Sequence, residues 1–236
     1  MYLYNGEAII MNDNWNESYL HRCEMYDLFS QYEDYRENVW NKILELTNMR
    51  GKIVFEMGCG TGKYTKLLAQ NARFVYANDI STAMVEFAKQ KCSSFSNIFY
   101  VNSSAENVPD IPDKSVDLIF SAWGYVSTPP IARRVEKEFQ RIIKRNGEIW
   151  LIDNYFDGEF TEMRQKHTDG EQMCLITQYG YELISVVETA FEFPDLDIAK
   201  QVCGSIFGCK AEVFFDNKGI PVLEDKVAIL HKKGVN

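Results

Sequence analysis

Apolar residues along this chain recur at two spacings, and the switches between them mark out the elements. Leu20, Cys23, Tyr26 and Leu28, then Val39, Ile43 and Leu46, fall at near-helical intervals and predict two helices between Trp15 and Asn48. Residues 52–56 form a short apolar run closed by glycines, the pattern of a buried strand entering a tight turn. Helical spacing returns over 61–71. The alternation continues with a strand over 73–78, a helix over 81–92, strands over 97–102 and 115–121, a helix from about 130 to 144 and a strand over 147–153. Pro129-Pro130 suits a helix start and Asn146-Gly147 a helix stop. Beyond Asp153 the pattern predicts a polar, partly helical segment over 156–170, a long strand over 181–193, a helix over 195–207 and a last strand over 227–231.

Strands alternating with helices call for a parallel sheet covered on both faces. The expected fold is α/β: a Rossmann-like, doubly wound, mostly parallel seven-stranded sheet with an antiparallel C-terminal edge and an N-terminal helical cap over about 1–48. The character of the chain changes after Asp153 without a convincing boundary, so 1–236 reads as a single domain. A hydrophobic content of 46% in 236 residues supplies a core without disulfides or a structural metal.

Charge narrows the partners. Lys and Arg number 25 against 34 Asp and Glu, a formal net charge of −9 that opposes a phosphate backbone, so no nucleic-acid partner is expected. The local basic cluster Arg133, Arg134, Lys137, Arg141, Lys144 and Arg145 reads as a solvated helix face. Cysteines 23, 59, 92, 174, 203 and 209 show neither CxxC spacing nor a Cys/His cluster, which predicts free thiols and no metal site. The N-terminal residues lack a basic stretch followed by an apolar one, and no run of about eighteen apolar residues occurs, so a cytoplasmic chain with no membrane association is expected.

The strand-to-turn junction Glu56-Met57-Gly58-Cys59-Gly60-Thr61-Gly62-Lys63-Tyr64 carries the chemistry. Glycines there let backbone N–H groups and a ligand approach closely at the carboxyl edge of a parallel sheet. A dinucleotide fingerprint fails, because Lys63 stands where G-x-G-x-x-G needs its third glycine. A phosphate loop fails too, because only three residues separate Gly58 from Gly62 and Tyr64 follows Lys63.

What fits is E-x-G-x-G-x-G, and the segment resembles the first motif of class I S-adenosylmethionine-dependent methyltransferases. The resemblance runs through about 50–153. It implies that Asp79, at the end of the second strand, accepts hydrogen bonds from the ribose hydroxyls; as a residue type Asp79 also suits a helix cap. Ser104-Ala105-Glu106 resembles the segment that lies against the adenine, with Ser104 where the family often has aspartate. The strand ending Ser121-Ala122-Trp123 resembles the one that lines the methyl-transfer cleft. Further cofactor contacts are implied for Cys59, Thr61, Tyr64, Ile80 and Met84, and for Tyr26 and Tyr32 at the methionine end. The cofactor implied is S-adenosyl-L-methionine, leaving as S-adenosyl-L-homocysteine.

The resemblance implies direct displacement onto an acceptor, with positioning as much of the enzyme's work. A hydroxyl or thiol acceptor would be helped by a general base. The candidates are His21 and His167, in the cap and in an insertion over about 154–180 on the substrate side, together with Tyr125. His231 is assigned to the last strand instead. Aromatic residues crowd the same regions, as suits a pocket for a small-molecule acceptor or plain core packing. Two rival readings stay open: a cofactor-binding protein without turnover, and an aminopropyl transferase, against which Ser121-Ala122-Trp123 offers no paired acids. Nothing in the sequence fixes the acceptor or the oligomeric state.

Overall fold

The computed structural model describes residues 3–4, 7–8, 23–125, 129–164 and 176–234. A short hairpin, β1 (Leu3–Tyr4) with β2 (Glu7–Ala8), precedes helices α1 (Cys23–Tyr32) and α2 (Asn38–Leu46). The alternating part follows as β3 (Ile53–Met57), α3 (Lys63–Asn71), β4 (Phe74–Asp79), α4 (Thr82–Lys91), β5 (Ile98–Asn102), β6 (Val116–Ala122), α5 (Pro129–Ile142) and β7 (Ile143–Asn154). The chain then adds α6 (Glu159–Arg164), β8 (Glu182–Glu192), α7 (Leu196–Phe207), α8 (Cys209–Lys218) and β9 (Val222–Lys233).

Seven strands form one sheet in the order β5-β4-β3-β6-β7-β9-β8. Strands β3 to β7 pair in parallel, and β9 runs antiparallel between β7 and β8. The expected antiparallel C-terminal edge is thus present, built of β9 and β8. The order reverses beside β3, where β4 lies to one side and β6 to the other. Ligands bind outside the carboxyl ends of strands at such a switch point.

The period of two along the strands divides the core. Phe55, Ile119 and Leu151 face one side with Phe139 of α5, while Val54, Leu118 and Phe120 face the other with Trp40, Ile43 and Leu68. A third cluster of Phe29, Phe160, Phe191, Phe207 and Phe215 joins α1 to the C-terminal helices, with the Phe29 and Phe191 rings 4.9 Å apart. Within the first core lies a buried polar group. Glu136 of α5 accepts from the hydroxyls of Tyr125 and Tyr181, both at 2.8 Å, and pairs with Lys232 of β9 at 2.6 Å.

Three expectations change. Asn146-Gly147 is not a helix stop: α5 ends at Ile142 and β7 starts at once. Gly147 sits within β7 near a register shift against β6, where a Cβ would lie 2.4 Å from Ile143 Cγ1 and 3.0 Å from the Asp117 carbonyl. The glycine thus serves a bulge. Second, the single helix expected between the last strands is two, α7 and α8, separated at Gly208. Third, the basic segment is not simply a solvated face. Arg141 donates to the carbonyls of Val108 and Ile111 at 2.9 and 2.8 Å and pairs with Asp113 and Glu138, fastening the loop between β5 and β6 to α5.

Candidate cofactor site

The carboxyl ends of β3, β4, β5 and β6 converge on the glycine turn. Gly58, Gly60 and Gly62 have φ of +75°, +51° and +89°, conformations that glycine adopts without a Cβ clash. The N–H groups of Gly58 and Cys59 both donate to the Asn78 carbonyl at 2.9 and 2.8 Å. The Gly60 N–H donates to Asp79 Oδ2, and the Ser81 N–H to Asp79 Oδ1, each at 2.9 Å. Each carboxylate oxygen retains a lone-pair direction for a further donor. Burial pushes the Asp79 carboxyl up, and the Ser81, Gly60 and Ile80 N–H groups draw it back. The alternative role of Asp79 as helix cap is taken by Ser81, whose Oγ accepts from Met84 N–H.

Two close approaches fix the turn. A Cβ on Gly58 would lie 2.9 Å from Gly124 Cα, and one on Gly124 would lie 2.7 Å from the Met57 carbonyl. Gly124 stands just past β6, where Ser121 Oγ donates to that same carbonyl at 3.0 Å. On its other side, Gly62 is packed against Ala88 of α4 and Cys92 just past it.

Glu56 is buried beneath the turn and accepts from Thr65 Oγ1 at 2.6 Å. Burial pushes its carboxyl up to about 8, with the Asp79 charge adding to the effect. Thr61 Oγ1 and the Tyr64 hydroxyl are buried with no hydrogen-bond partner among the described residues. Such orphans cost about 1–3 kcal/mol each until something pairs with them.

Around this centre, Asn102 of β5 donates to the carbonyls of Asp79 and Ile80 at 3.0 and 3.2 Å, and the Ile80 side chain is 54% exposed. Ser104 Oγ donates to Glu106 Oε1 at 3.2 Å, Glu106 pairs with Arg134, and Ala105 packs on the first core. Ala122 and Trp123 pack on the second core. Trp123 has φ +52°, unusual for a bulky side chain, and its Nε1 donates to Asn154 Oδ1 at 2.9 Å. Its ring lies 6.1 Å from that of Tyr64.

The fold thus gathers Glu56, Gly58, Cys59, Gly60, Thr61, Gly62, Tyr64, Asp79, Ile80, Ser121, Ala122 and Trp123 about one sheet edge, with Ser104–Glu106 on the adjoining loop. The remaining candidates have surroundings of their own. Met84 is fully buried in α4, and Tyr32 packs against Phe193 with ring centroids 4.9 Å apart, in the third cluster. Tyr26 is half-buried on α1. Tyr125 is 5% exposed and donates its hydroxyl to Glu136, beside which burial raises its pKa, so its proton is committed to structure. His231 lies against Trp150 within the sheet, the ring centroids 4.2 Å apart and the planes tilted by 35°. His21 and His167 lie outside the described residues. Asn78 and Gly124 are residues that sequence reasoning passed over. No group of three or more His, Cys, Asp or Glu that could hold a metal ion occurs among the described residues.

The raised Glu56 carboxyl has a measurable sign. Above the ordinary value of 4.5 the unfolded chain ionises while the folded one keeps its proton, so stability falls as pH rises and levels off past about 8. Glu33, pushed up to about 7 by burial, acts in the same direction, whereas His231, held neutral by burial, opposes it below about 6.5. Comparison with Glu56→Gln isolates the one group. The variant is expected to gain on the wild type by on the order of a few kcal/mol between pH 5 and 8. Parallel denaturation curves at every pH would contradict the assignment.

Residues 55–151, which include the turn, Asp79 and the end of β6, match the family model described as "Methyltransferase domain". This stretch is similar to a methyltransferase domain. It is 30% identical over 129 residues to the demethylmenaquinone methyltransferase of Bacillus licheniformis, covering 53% of each chain. Against the malonyl-[acyl-carrier protein] O-methyltransferase of a Marinomonas species identity is 30% over 125 residues, covering 51% of this chain and 45% of that one. The chain therefore spans about half the length of these curated relatives. A solved methyltransferase from Aquifex aeolicus shares the fold, with a TM-score of 0.56 at 19% identity, over 87% of this chain and 96% of that one. The methyltransferase match does not reach α1, β8 or β9. No helix among the described residues is long and apolar enough to cross a membrane.

Proposed function

We propose that this chain binds S-adenosylmethionine across the glycine turn and directs its methyl group to a small-molecule acceptor by direct displacement. The observation that carries the proposal is the Asp79 carboxylate, tied to the turn through Gly60 N–H and keeping acceptor capacity at the switch point of the sheet. The donor set fits an adenosyl ligand. Asp79 would take the ribose hydroxyls, the exposed Ile80 side chain and the Ser104–Glu106 loop would flank the base, and the Thr61 hydroxyl would find a partner at the turn. When bound, the cofactor supplies a methyl group already activated by a sulfonium.

The chain's part is then to position and to exclude water. Gly124 and Ser121 hold the end of β6 against the turn, and the Trp123 indole, fixed by Asn154, would wall the acceptor side of the cleft. Such positioning is the main source of rate when the leaving group is already good. Tyr125 is assigned no part in proton transfer.

The two relatives named above are titled for acceptors as different as demethylmenaquinone and a malonyl carrier protein, which supports methyl transfer and leaves the acceptor open. Incubation with S-adenosylmethionine labelled in the methyl group and a panel of quinols, acyl thioesters, amines and thiols tests the reading. A labelled small molecule formed only with the protein is expected. Tight cofactor binding with no labelled product across the panel would favour a cofactor-binding protein without turnover, and label on protein alone would remove the small-molecule acceptor.

A further inference from the structure

Lysine 63 follows the third glycine of the turn and opens α3, which has no side-chain cap. Its Nζ donates to the Ser30 carbonyl at 2.8 Å and to the Glu33 carbonyl, and lies 3.7 Å from Glu33 Oε2. Of the ammonium's three protons two go to these carbonyls, and the Glu33 carboxylate adds an ion pair. Ser30 belongs to the last turn of α1, where carbonyls lack helical partners and a cation is favoured. A second lysine does similar work. Lys91, the last residue of α4, pairs with Asp27 of α1 at 2.5 Å. The helices that follow β3 and β4, the two strands bearing Glu56 and Asp79, thus each send a lysine to α1. The loop leaving α1 is itself fastened, since Asp34 accepts from Val39 N–H at 3.0 Å and from Thr189 Oγ1 at 2.6 Å.

Buried ammonium groups need such partners, and removing one partner leaves an uncompensated charge. A rigid strap between α1 and a turn built on three left-handed glycines couples the two in both directions. Whatever orders the turn orders α1, and whatever frees α1 loosens the turn.

We propose that Lys63 is a positioning residue for cofactor binding, acting by strapping α1 to the glycine turn, with Lys91 as the second strap. The proposal rests on the cofactor reading above. S-adenosylhomocysteine is the probe, and calorimetry and amide hydrogen exchange are the measurements, on wild type, Lys63→Met and Lys91→Met. In the wild type, the ligand is expected to slow exchange both at 58–62 and across 23–33. In K63M, affinity falls at least about tenfold, and slowing persists at the turn while it disappears from α1. A side chain that merely stabilises the fold would not uncouple the two segments.

K63M binding within about twofold of wild type, or slowing α1 as the wild type does, overturns the proposal. Should K63M not fold, K91M decides: affinity at least about threefold weaker with reduced slowing in α1 supports the strap, and affinity within about twofold overturns it. A wild type that does not bind S-adenosylhomocysteine overturns the cofactor reading and the strap together. Binding that leaves α1 unaffected removes the strap alone.

Discussion

A Gly124→Ala variant binds S-adenosylhomocysteine at least about tenfold more weakly than the wild type, a difference of about 1.4 kcal/mol or more. The added methyl would stand 2.7 Å from the Met57 carbonyl, 3.0 Å from Ser121 Oγ and 3.1 Å from Gly58 Cα. Two of these neighbours are backbone, and the third is a hydroxyl already bonded to Met57, so none can move without the turn moving. The end of β6 must back away from Gly58, and the N–H array of the turn loses its register with Asp79. Overpacking of this kind costs about 1–3 kcal/mol of stability as well. Gly219→Ala is the control. Gly219 has φ +72° but nothing within 4 Å of a new Cβ, so that variant carries backbone strain alone and is expected to bind the ligand normally. Equal affinity in G124A and G219A would show that the contact between β6 and the turn does not shape the site.

Glu136→Ala is expected to lower stability by about 3–5 kcal/mol, the usual consequence of stripping one partner from a buried ion pair. Glu136 is 5% exposed and its carboxylate serves Lys232, Tyr125 and Tyr181 at once. Its removal strands a largely buried ammonium and two phenolic hydroxyls, and it unties α5 from β9 and from the residue ahead of β8. At about 2–4 °C per kcal/mol for a chain of this size, the melting midpoint should fall by roughly 10 °C or more. Pairing Lys232→Met with Glu136→Gln removes the stranded charge and leaves an amide oxygen for the tyrosines, so the double variant should recover part of the loss. A loss below about 1 kcal/mol in E136A would mean the group is far better solvated than its burial indicates.

The sheet was legible because its signals are local. Short apolar runs closed by glycine, as at 52–56, and helical spacing between them follow from the periods of strand and helix, and five parallel strands emerged near their expected places. Boundaries failed where a residue type has two uses. Gly147 carries a helix-stop signal, yet it is required by the close approach of Ile143 and Asp117 in a bulge that depends on the neighbouring strand. The second C-terminal helix was missed because Cys209–Lys218 has little contrast between its faces beyond Ala211 and Phe215.

The site divides in the same way. The glycine spacing and the acid at the end of the second strand could be read because they lie in two short segments. Gly124 could not, since its need for glycine exists only where Met57 and Gly58 come against it from another strand. Lys63 read as the residue that broke a phosphate-loop pattern, and its use became visible only once α1 was seen to end above it. Tyr32 and Met84 show an ambiguity of residue type. An aromatic or thioether side chain near a motif fits a pocket wall and a core equally well in sequence; here Met84 is fully buried and Tyr32 packs, half-buried, against Phe193.

The whole account turns on Asp79 and the glycine turn forming one adenosyl-binding unit. Titration of S-adenosylhomocysteine into wild type and Asp79→Asn by calorimetry addresses that unit directly. One ligand per chain is expected, with affinity at least about tenfold weaker in D79N, because one carboxylate oxygen becomes a donor facing Gly60 N–H and the charge is lost. No heat of binding in the wild type, or the same affinity in both proteins, would contradict it.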